Sequence, residues 1–463
     1  MQSAVATDRP SGEIPDLPEL PSFRIEENEG EVVPLRAVNG RSHAGASREG
    51  SRESRAALSN EEIIRTRHAG TGLKRYDAEL SEKLIDQDAA RTVRRLEAAG
   101  FEAYLVGGCV RDLLLGDKPK DFDIATSARP EDVRRLFRNC RIIGRRFRLA
   151  HVFFGRDKIL EVATFRRNPT DADEESNADI LIRNDNAFGD AHEDAIRRDF
   201  TINGLFYDLD RKQVLDWVGG MPDIERRTIA MIGVPSVRFR EDPVRILRAI
   251  KFAARRDLGI HPDVYDAMVA HADELKRASK PRLFEELLRL LRQGGSQRSF
   301  WLLWEIGALA MFLPEISAYV EEYAGRPEGS RFWKLLGALD QINKERGQTM
   351  DDASLVAILL REPLQEVLLA DDDPSAGAFE FLEPLVQRMG LTRRIADAVR
   401  RIVLMQVRFE RGKGTKLLRS EWAREAVDAY EVWLLANGRD RQAAHDLRAQ
   451  IPKPTRAPRG PSR

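Results

Sequence analysis

Apolar residues follow two different spacings along the chain. Short apolar runs between turn residues predict strands, whereas apolar residues that recur every three or four positions predict helices. In the first part of the chain the two patterns alternate, which favours a mixed α/β region. The predicted strands cover 101–106, 122–125, 141–143, 151–154 and 159–165, and the predicted helices cover 86–99, 110–115 and 130–137.

From about residue 193 the helical period dominates. It predicts helices at 193–207, 242–256, 262–278 and 281–291, and nearly everything from 297 onward follows the same spacing. The predicted fold class is therefore α+β, with a mixed head followed by an all-helical neck and body. We place the head at 76–232, the neck at 233–295 and the body at 296–450.

The flanking segments lack apolar periodicity. Residues 1–75 are rich in Pro, Gly, Ser, Glu and Arg and are expected to be disordered. The polar stretch 168–190 is expected to be a mobile loop, and 451–463 a flexible basic tail. The role of the N-terminal extension stays open.

Composition excludes several classes of protein. The 463 residues are 42% hydrophobic, enough for several cores, and Cys109 and Cys140 have no close-spaced partner. Such cysteine usage favours a reducing cytoplasm over a disulfide scaffold or a zinc site. No apolar run reaches eighteen residues, so we expect a soluble protein without membrane contact. The phosphate-binding loop consensus of P-loop enzymes is absent.

The candidate chemistry lies in one short segment. Gly107 and Gly108 follow a predicted strand and precede a helix, a place where backbone N–H groups attract phosphates. Asp121 and Asp123 come next, two residues apart, so that on a strand both carboxylates share one face. Two carboxylates can hold Mg²⁺, and two such ions can drive phosphoryl transfer. Either motif alone is more often a turn or a solvated strand edge.

The segment LVGGCVRDLLLGDKPKDFDIAT at 105–126 resembles the class II nucleotidyltransferases, which comprise bacterial poly(A) polymerases and tRNA CCA-adding enzymes. Three further segments resemble motifs of that family in the same order. They are KILEVATFR at 158–166, RRDFTINGL at 197–205 and REDPVRILR at 240–248.

The resemblance implies a role for each motif. Glu161 becomes the third carboxylate beside Asp121 and Asp123, with a structural salt bridge as the alternative. Arg111 joins the two glycines around the triphosphate of ATP. Arg198 and Asp199, expected on a helix, face the nucleotide unless they belong to an ordinary ion-pair network. The residues implied to read the incoming base from the first turns of a helix begun near Pro243 are Glu241, Asp242, Arg245 and Arg248.

RNA contact is predicted from local charge. The chain has 75 basic and 75 acidic residues, yet between Arg129 and Arg167 there are twelve Lys or Arg and only four Asp or Glu. Local fields attract phosphates, so Arg145, Arg146 and Arg148 are candidate RNA contacts. A solvated surface is the alternative.

The segment 137–152 resembles the poly(A) polymerase branch more than the CCA-adding branch. We therefore expect a template-independent enzyme that adds AMP from ATP to RNA 3′ ends with two Mg²⁺ ions, as in mRNA polyadenylation. A tRNA CCA-adding nucleotidyltransferase is the first alternative, and the base-reading motif does not separate the two. A non-catalytic RNA-binding module is the second.

Overall fold

The computed structural model describes residues 72–144, 148–155, 158–167, 187–292, 294–370 and 373–452. These residues form two compact units. The head unit runs to Glu241 and also includes Leu258–Ala267. The helical unit contains Asp242–Asp257 and the described chain from Met268 onward.

A mixed sheet forms the centre of the head unit. Its eight strands are β1 (Lys74–Asp77), β2 (Ala103–Val106), β3 (Asp123–Thr126), β4 (Cys140–Ile143), β5 (Leu149–Phe154), β6 (Lys158–Thr164), β7 (Phe206–Asp208) and β8 (Gln213–Asp216). They are arranged in the order β1-β8-β7-β2-β3-β6-β5-β4. Only the β3–β6 pair is parallel, and every other neighbouring pair is antiparallel. A separate parallel pair joins β9 (Thr228–Ile229) to β10 (Gly259–Ile260).

Among the described residues, the head unit has six short helices. They are α1 (Gln87–Ala98), α2 (Gly108–Leu114), α3 (Pro130–Leu136), α4 (Ala191–Ile196), α5 (Gly220–Glu225) and α6 (Pro235–Glu241). The Asp86 carboxylate caps α1 by accepting hydrogen bonds from the backbone N–H groups of Asp88 and Ala89. Lys158 Nζ lies 2.6 Å from the same carboxylate, which fastens the start of β6 to α1.

The two faces of the sheet are covered differently. Helix α1 packs against β2 and β3, and α3 packs against β4, β5 and β6. On the opposite face, Ala191 and Ala195 of α4 belong to a buried apolar cluster with Val106, Phe165 and Phe206. Since side chains alternate between faces along a strand, the residues next to Val106 and Phe206 point to the α1 side. The sheet therefore lies between two helical layers at its β2–β7 centre.

The helical unit is built almost entirely from helices. With α8, which crosses the boundary between the two units, they are α7 (Val244–Arg256), α8 (Pro262–Ala270), α9 (Lys280–Arg292), α10 (Ser296–Glu305), α11 (Leu309–Phe312), α12 (Pro314–Glu322), α13 (Pro327–Arg346), α14 (Asp352–Ala370), α15 (Pro374–Met389), α16 (Arg393–Glu410), α17 (Ala423–Ala436) and α18 (Gln442–Gln450). Helix α14 is buried on nearly every side by α15, α16 and α17, which explains its continuous apolar run. Within the described residues, no helix is both long and apolar enough to cross a membrane.

The predicted α+β class is confirmed, and all five predicted strands form within two residues of their predicted ends. The single helix predicted at 193–207 is wrong. That segment is α4, a 3₁₀ turn at Thr201–Asn203 and then β7. Asp199 Oδ1 accepts the backbone N–H of Phe200, a local bond that competes with the helix. The helix predicted at 262–278 likewise ends at Ala270 and continues as a 3₁₀ turn.

The domain boundaries also differ from the expectation. Residues of the predicted neck at 233–295 are divided between the two units, because β10 pairs with β9 of the head while α7 packs with α9 and α10. Strand β1 begins at Lys74, so the predicted disordered extension is wrong at its last two residues. Residues 1–71, residues 168–186 of the loop predicted at 168–190 and residues 453–463 of the tail predicted at 451–463 lie outside the described residues.

Candidate active site

The two glycines form the turn between β2 and α2. Gly107 has φ +72°, a conformation that side-chain-bearing residues avoid, and a β carbon there would come 2.8 Å from Arg198 Nη1. Its backbone N–H donates to the carbonyl of Leu205, 3.2 Å away. Glycine is therefore required at 107 by backbone geometry and by the close approach of an arginine. This arrangement matches the predicted strand, turn and helix.

A buried chain of hydrogen bonds stabilises this turn. Arg111 Nε and Nη2 donate to Asp112 Oδ1 at 2.9 and 2.7 Å, and Arg111 Nη1 donates to Asn203 Oδ1 at 2.6 Å. Asn203 Nδ2 in turn donates to Asp199 Oδ1 at 3.1 Å. All four residues are at most 8% exposed. The chain links α2 to the 3₁₀ turn at Thr201–Asn203 and fixes both.

Arg111 and Asp199 were predicted to contact the nucleotide, but their side chains bond to other residues of the protein. Both groups are buried and bonded within the protein, and Asp199 lies in the turn after α4 rather than on a helix. Direct contact with a nucleotide, as the family resemblance implied, stays a prediction for both. Their observed contacts make them supports for the glycine turn.

Arg198 lies beside the turn. Its Nε and Nη2 donate to Asp194 Oδ2 at 3.2 and 2.8 Å, and its guanidinium lies 5.1 Å from the centre of the Phe206 ring. Arg238 Nη2 donates to the backbone carbonyls of Arg197 and Arg198, which fixes this segment to α6. Arg198 is 24% exposed, so it keeps a surface for an anionic ligand next to Gly107.

The acids meet across the parallel β3–β6 pair. Asp123 is the register partner of Glu161, and Asp121 precedes Asp123 by two residues. Burial and then the negative charge of Glu161 raise the pKa of Asp123 to about 6, with Asp121 adding to the shift and Arg198 opposing it. The Asp123 side chain is nevertheless accessible to solvent. A carboxylate that is crowded by protein yet reached by water lies in a concave surface.

Glu161 is more open than the sequence suggested. We expected a charge inside an apolar strand, but its side chain is 52% exposed, so burial costs it little. Its neighbour on β5 is His151, whose Nε2 lies 3.7 Å from Glu161 Oε1. The structural salt bridge considered as an alternative is therefore at most this loose contact among the interactions described.

The acids fit a Mg²⁺ site in which substrate phosphates supply some of the metal ligands. Among the described residues, no group of three or more His, Cys, Asp or Glu side chains is placed to hold a metal ion by itself. The three predicted ligands are therefore not drawn into a closed cage. Mg²⁺ commonly uses one or two carboxylates together with substrate phosphates and water. Two adjacent carboxylates, one with a raised pKa, meet that requirement.

The implied base-reading residues are described within their own units. Glu241 ends α6 in the head unit and accepts from Arg238 Nη1 at 3.0 Å, so its predicted place in the first turns of the next helix is wrong. Asp242 precedes that helix and accepts from Arg282 Nη2 at 2.8 Å. Arg245 and Arg248 lie one turn apart on α7, which begins directly after Pro243 as predicted.

The predicted RNA contacts are only partly described. Arg145 and Arg146 lie outside the described residues. Arg148 precedes β5 and forms an exposed ion pair with Glu131 at the start of α3. Exposed pairs of this kind are weak because water screens them, so the pairing does not prevent exchange for an RNA phosphate. RNA binding by Arg148 stays a prediction.

Comparison with known proteins supplies the family. Residues 103–230 match the family model for the poly A polymerase head domain. Residues 257–320 match the model described as a probable RNA and SrmB-binding site of polymerase A. Poly(A) polymerase I of Salmonella typhimurium is 39% identical over 381 residues, which are 78% of this chain and 81% of that protein. This chain belongs to the bacterial poly(A) polymerase family. The poly(A) polymerase I of Haemophilus influenzae is 37% identical over 363 residues, 75% of this chain and 80% of that protein.

CCA-adding enzymes are also related. That of Streptococcus suis is 35% identical over 243 residues, 52% of this chain and 56% of that protein. The crystal structure of the Bacillus stearothermophilus CCA-adding enzyme in complex with CTP matches with a TM-score of 0.57 and 25% identity, covering 79% of this chain and 81% of that one. The resemblance to class II nucleotidyltransferases is confirmed, and with it the enzyme class.

Sequence reasoning missed several residues of this poly(A) polymerase family member. Asp112 and Asn203 stand inside the recognised motifs, but nothing in their local pattern indicated that they meet around Arg111. Asp194 forms an ion pair with Arg198, four residues later, and this spacing could have suggested the pair. His151 is a further missed residue, because only the strand register places it beside Glu161.

Proposed function

We propose that this chain transfers AMP from ATP to RNA 3′ ends without a template. The observation that carries the proposal is the pair of like-charged neighbours, Asp123 and Glu161, beside a glycine turn that admits no side chain. Family relatives named poly(A) polymerase I add to it, because they match more of this chain, at higher identity, than the CCA-adding enzyme of Streptococcus suis. We further propose that the protein works in the cytoplasm.

The reaction joins two substrates at one phosphorus atom. The RNA 3′ oxygen forms a bond to the α-phosphorus of ATP, the bond from that phosphorus to the oxygen bridging to the β-phosphorus breaks, and pyrophosphate leaves. The proton of the 3′ hydroxyl passes to solvent. Asp121, Asp123 and Glu161 would hold two Mg²⁺ ions. When bound, the metal would activate the hydroxyl and neutralise charge on the leaving pyrophosphate.

The residues around the glycine turn bind the triphosphate. The open backbone at Gly107 and Gly108 admits phosphate oxygens, and Arg198 supplies a positive charge next to Gly107. Arg111 and Asp199 act as positioning residues, because their buried bonds hold the turn in its φ +72° conformation. Rigid placement of this kind lowers the cost of reaching the reactive geometry.

Base selection would fall to the residues around α7. Planar arginines such as Arg245 and Arg248 can form two parallel hydrogen bonds to a base edge. The family resemblance also gives Glu241 and Asp242 a part in reading the base. A site that pairs every polar group with one base rejects another strongly, because the wrong base leaves buried groups unpaired.

A tRNA CCA-adding activity is the second candidate. It is favoured by the relative from Streptococcus suis and by the likeness to the CTP-bound enzyme of Bacillus stearothermophilus. A binding module without activity is disfavoured, since two adjacent uncompensated carboxylates have no use in a site that binds only the polyanion RNA.

One incorporation assay separates the candidates. Two RNAs, an unstructured oligomer and a tRNA that lacks its CCA end, are each incubated with ATP, CTP or both. We expect long A tracts on the oligomer and poor use of CTP. Products that stop at a completed CCA end, with both nucleotides consumed, would show the second candidate. No incorporation on either RNA would leave only a binding module.

A further inference from the structure

One face of the head sheet is covered on one side of the acids and exposed to solvent on the other. On the β2–β7 side this face is covered by α4 and the buried cluster around Phe206. On the other side the strand register continues the acid row across β6, β5 and β4: Asp123 opposes Glu161, Glu161 opposes His151, and His151 opposes Arg141. Register partners share a face of the sheet. A continuous row therefore leads from the acids to an arginine on the edge strand.

The side chains around this row are apolar, aromatic and open to solvent. Ile159 is 47% exposed, although it lies on the central strand β6, and its register partner on β5 is the partly exposed Phe153. The guanidinium of Arg141 lies 5.6 Å from the centre of the Phe153 ring. By contrast, Val152 and Leu160, which point to the other face, are buried by the α3 side. The exposure is thus a property of this face and not of the strands as a whole.

Such a surface suits the bases of a single nucleic-acid strand. Bases stack on aromatic rings and arginine planes without sequence preference, at about 1–3 kcal/mol per base. The order of charges along the row, from the acids to Arg141, also matches an RNA 3′ end. A 3′ end carries a hydroxyl and no phosphate, so it can lie at the acids, whereas the phosphates behind it run toward Arg141.

We propose that the last nucleotides of the RNA being extended lie on this open face, with Phe153 and His151 under their bases and Arg141 at a phosphate. The inference rests on the proposed function, since it places the 3′ hydroxyl at Asp123 and Glu161. Three strand spacings of roughly 4.8 Å separate β3 from β4. The row is therefore roughly 14 Å long, enough for the last few nucleotides of a strand. RNA is favoured over a protein partner because the apolar area is narrow and ends in opposite charges.

Binding of a non-extendable RNA tests this platform. The probe is a short oligoadenylate with a 3′-deoxy end and 2-aminopurine near that end, whose fluorescence falls on stacking. We expect Phe153→Leu to weaken binding about tenfold and to restore fluorescence, as loss of one stacked base requires. Arg141→Gln should reduce the salt slope of binding by about one. ATP binding should not change.

Matched controls come from the same unit. Phe154→Leu changes the next residue of β5, whose ring belongs to the opposite face, and Arg226→Gln removes an exposed arginine that directly follows α5. Both should bind the probe as the wild type does. If Phe153→Leu binds and quenches like Phe154→Leu, the platform is wrong.

A second measurement needs no variant. RNA with 4-thiouridine near its 3′ end is crosslinked to the wild-type protein. Crosslinks within 149–161 are expected, and crosslinks only elsewhere would overturn the inference. The two proposals fail separately. A protein that binds through Phe153 but adds no AMP keeps the platform and loses the function, whereas AMP addition with Phe153-independent binding does the reverse.

Discussion

The buried ion pairs of the helical unit and the carboxylates beside the glycine turn of the head unit are arranged in opposite ways. Inside the helical unit, the fully buried Arg361 donates to Gln365 at 2.7 Å and to Glu410, and Lys251 Nζ lies 2.9 Å from Glu286. In both cases the buried charge has a partner of opposite sign. In the head unit, Asp123 and Glu161 are neighbours of the same sign.

The difference indicates what each set of charges is for. A buried ion pair is complete within the protein, so its role is structural. Burial and the adjacent negative charge of Glu161 make ionisation of Asp123 costly, and the raised pKa of Asp123 expresses that cost. The cost falls when a cation binds. The head acids are therefore incomplete without a ligand, and the helical pairs are not.

The largest expected effect comes from Asp123→Asn. This change keeps the shape of the side chain but removes its charge, and loss of a metal-binding carboxylate costs several kcal/mol in the transition state. We expect AMP incorporation to fall about a thousandfold or more in single-turnover assays, with RNA binding retained. Without metal at pH 8, the variant should be as stable as the wild type or more stable, because a destabilising charge is gone.

Asp210→Asn is the matched control for that change. It removes an exposed carboxylate of the same unit whose contact is a 3.8 Å pair with Arg94. Its activity should stay near the wild-type level. Near-normal incorporation by Asp123→Asn would contradict the assignment of the acids.

Arg361→Met should have the next largest effect, on stability. The substitution leaves the buried Glu410, whose pKa is already raised by burial, without its cation. Breaking a buried pair on one side costs about 3–5 kcal/mol. Urea unfolding monitored by the tryptophans should show this loss. Arg401→Met, which removes a half-exposed arginine paired with Asp397, should cost at most about 1 kcal/mol. Equal losses would mean that the buried pair has no special structural role.

The sequence predicted the parts of the site that are local. The glycine turn, the two-apart acids and the five central strands depend on spacing within a few residues, and they form where expected. The register that sets Glu161 opposite Asp123 depends on a parallel pairing that no local pattern specifies. The same holds for Arg111, whose bond to Asn203 joins residues 92 positions apart. Strands β7 and β8 were missed because tertiary contact, not periodicity, decides their conformation.

Glu97 gives a smaller effect that depends on pH. Burial, followed by the charges of Asp210 and Asp208, raises the pKa of Glu97 to about 7 from 4.5. The folded state therefore holds the proton more tightly than the unfolded state, and this stability is present below pH 4.5 and is lost as the pH rises through 7. Glu97→Gln should thus stabilise the protein at pH 8 by roughly 1–2 kcal/mol, discounted for screening, and little at pH 4.5.

Urea unfolding at several pH values checks this prediction. Glu102→Gln, which changes an exposed carboxylate close to α1, is the control substitution. A stabilisation by Glu97→Gln that is the same at pH 4.5 and pH 8 would show that the carboxylate is not held in its protonated form by the fold.

The contrast between paired and unpaired charges is tested most directly by the thermal unfolding midpoint of the head unit. It is measured with Mg²⁺ and a non-hydrolysable ATP analogue, alone and together, for the wild type and for the double variant Asp123→Asn, Glu161→Gln. We predict that the metal and the nucleotide together raise the wild-type midpoint by a few degrees, as ligand binding to the folded state requires. The double variant should respond no more to both ligands than to the nucleotide alone. An equal rise in both proteins would contradict the account, because the acids would then have no part in holding the metal.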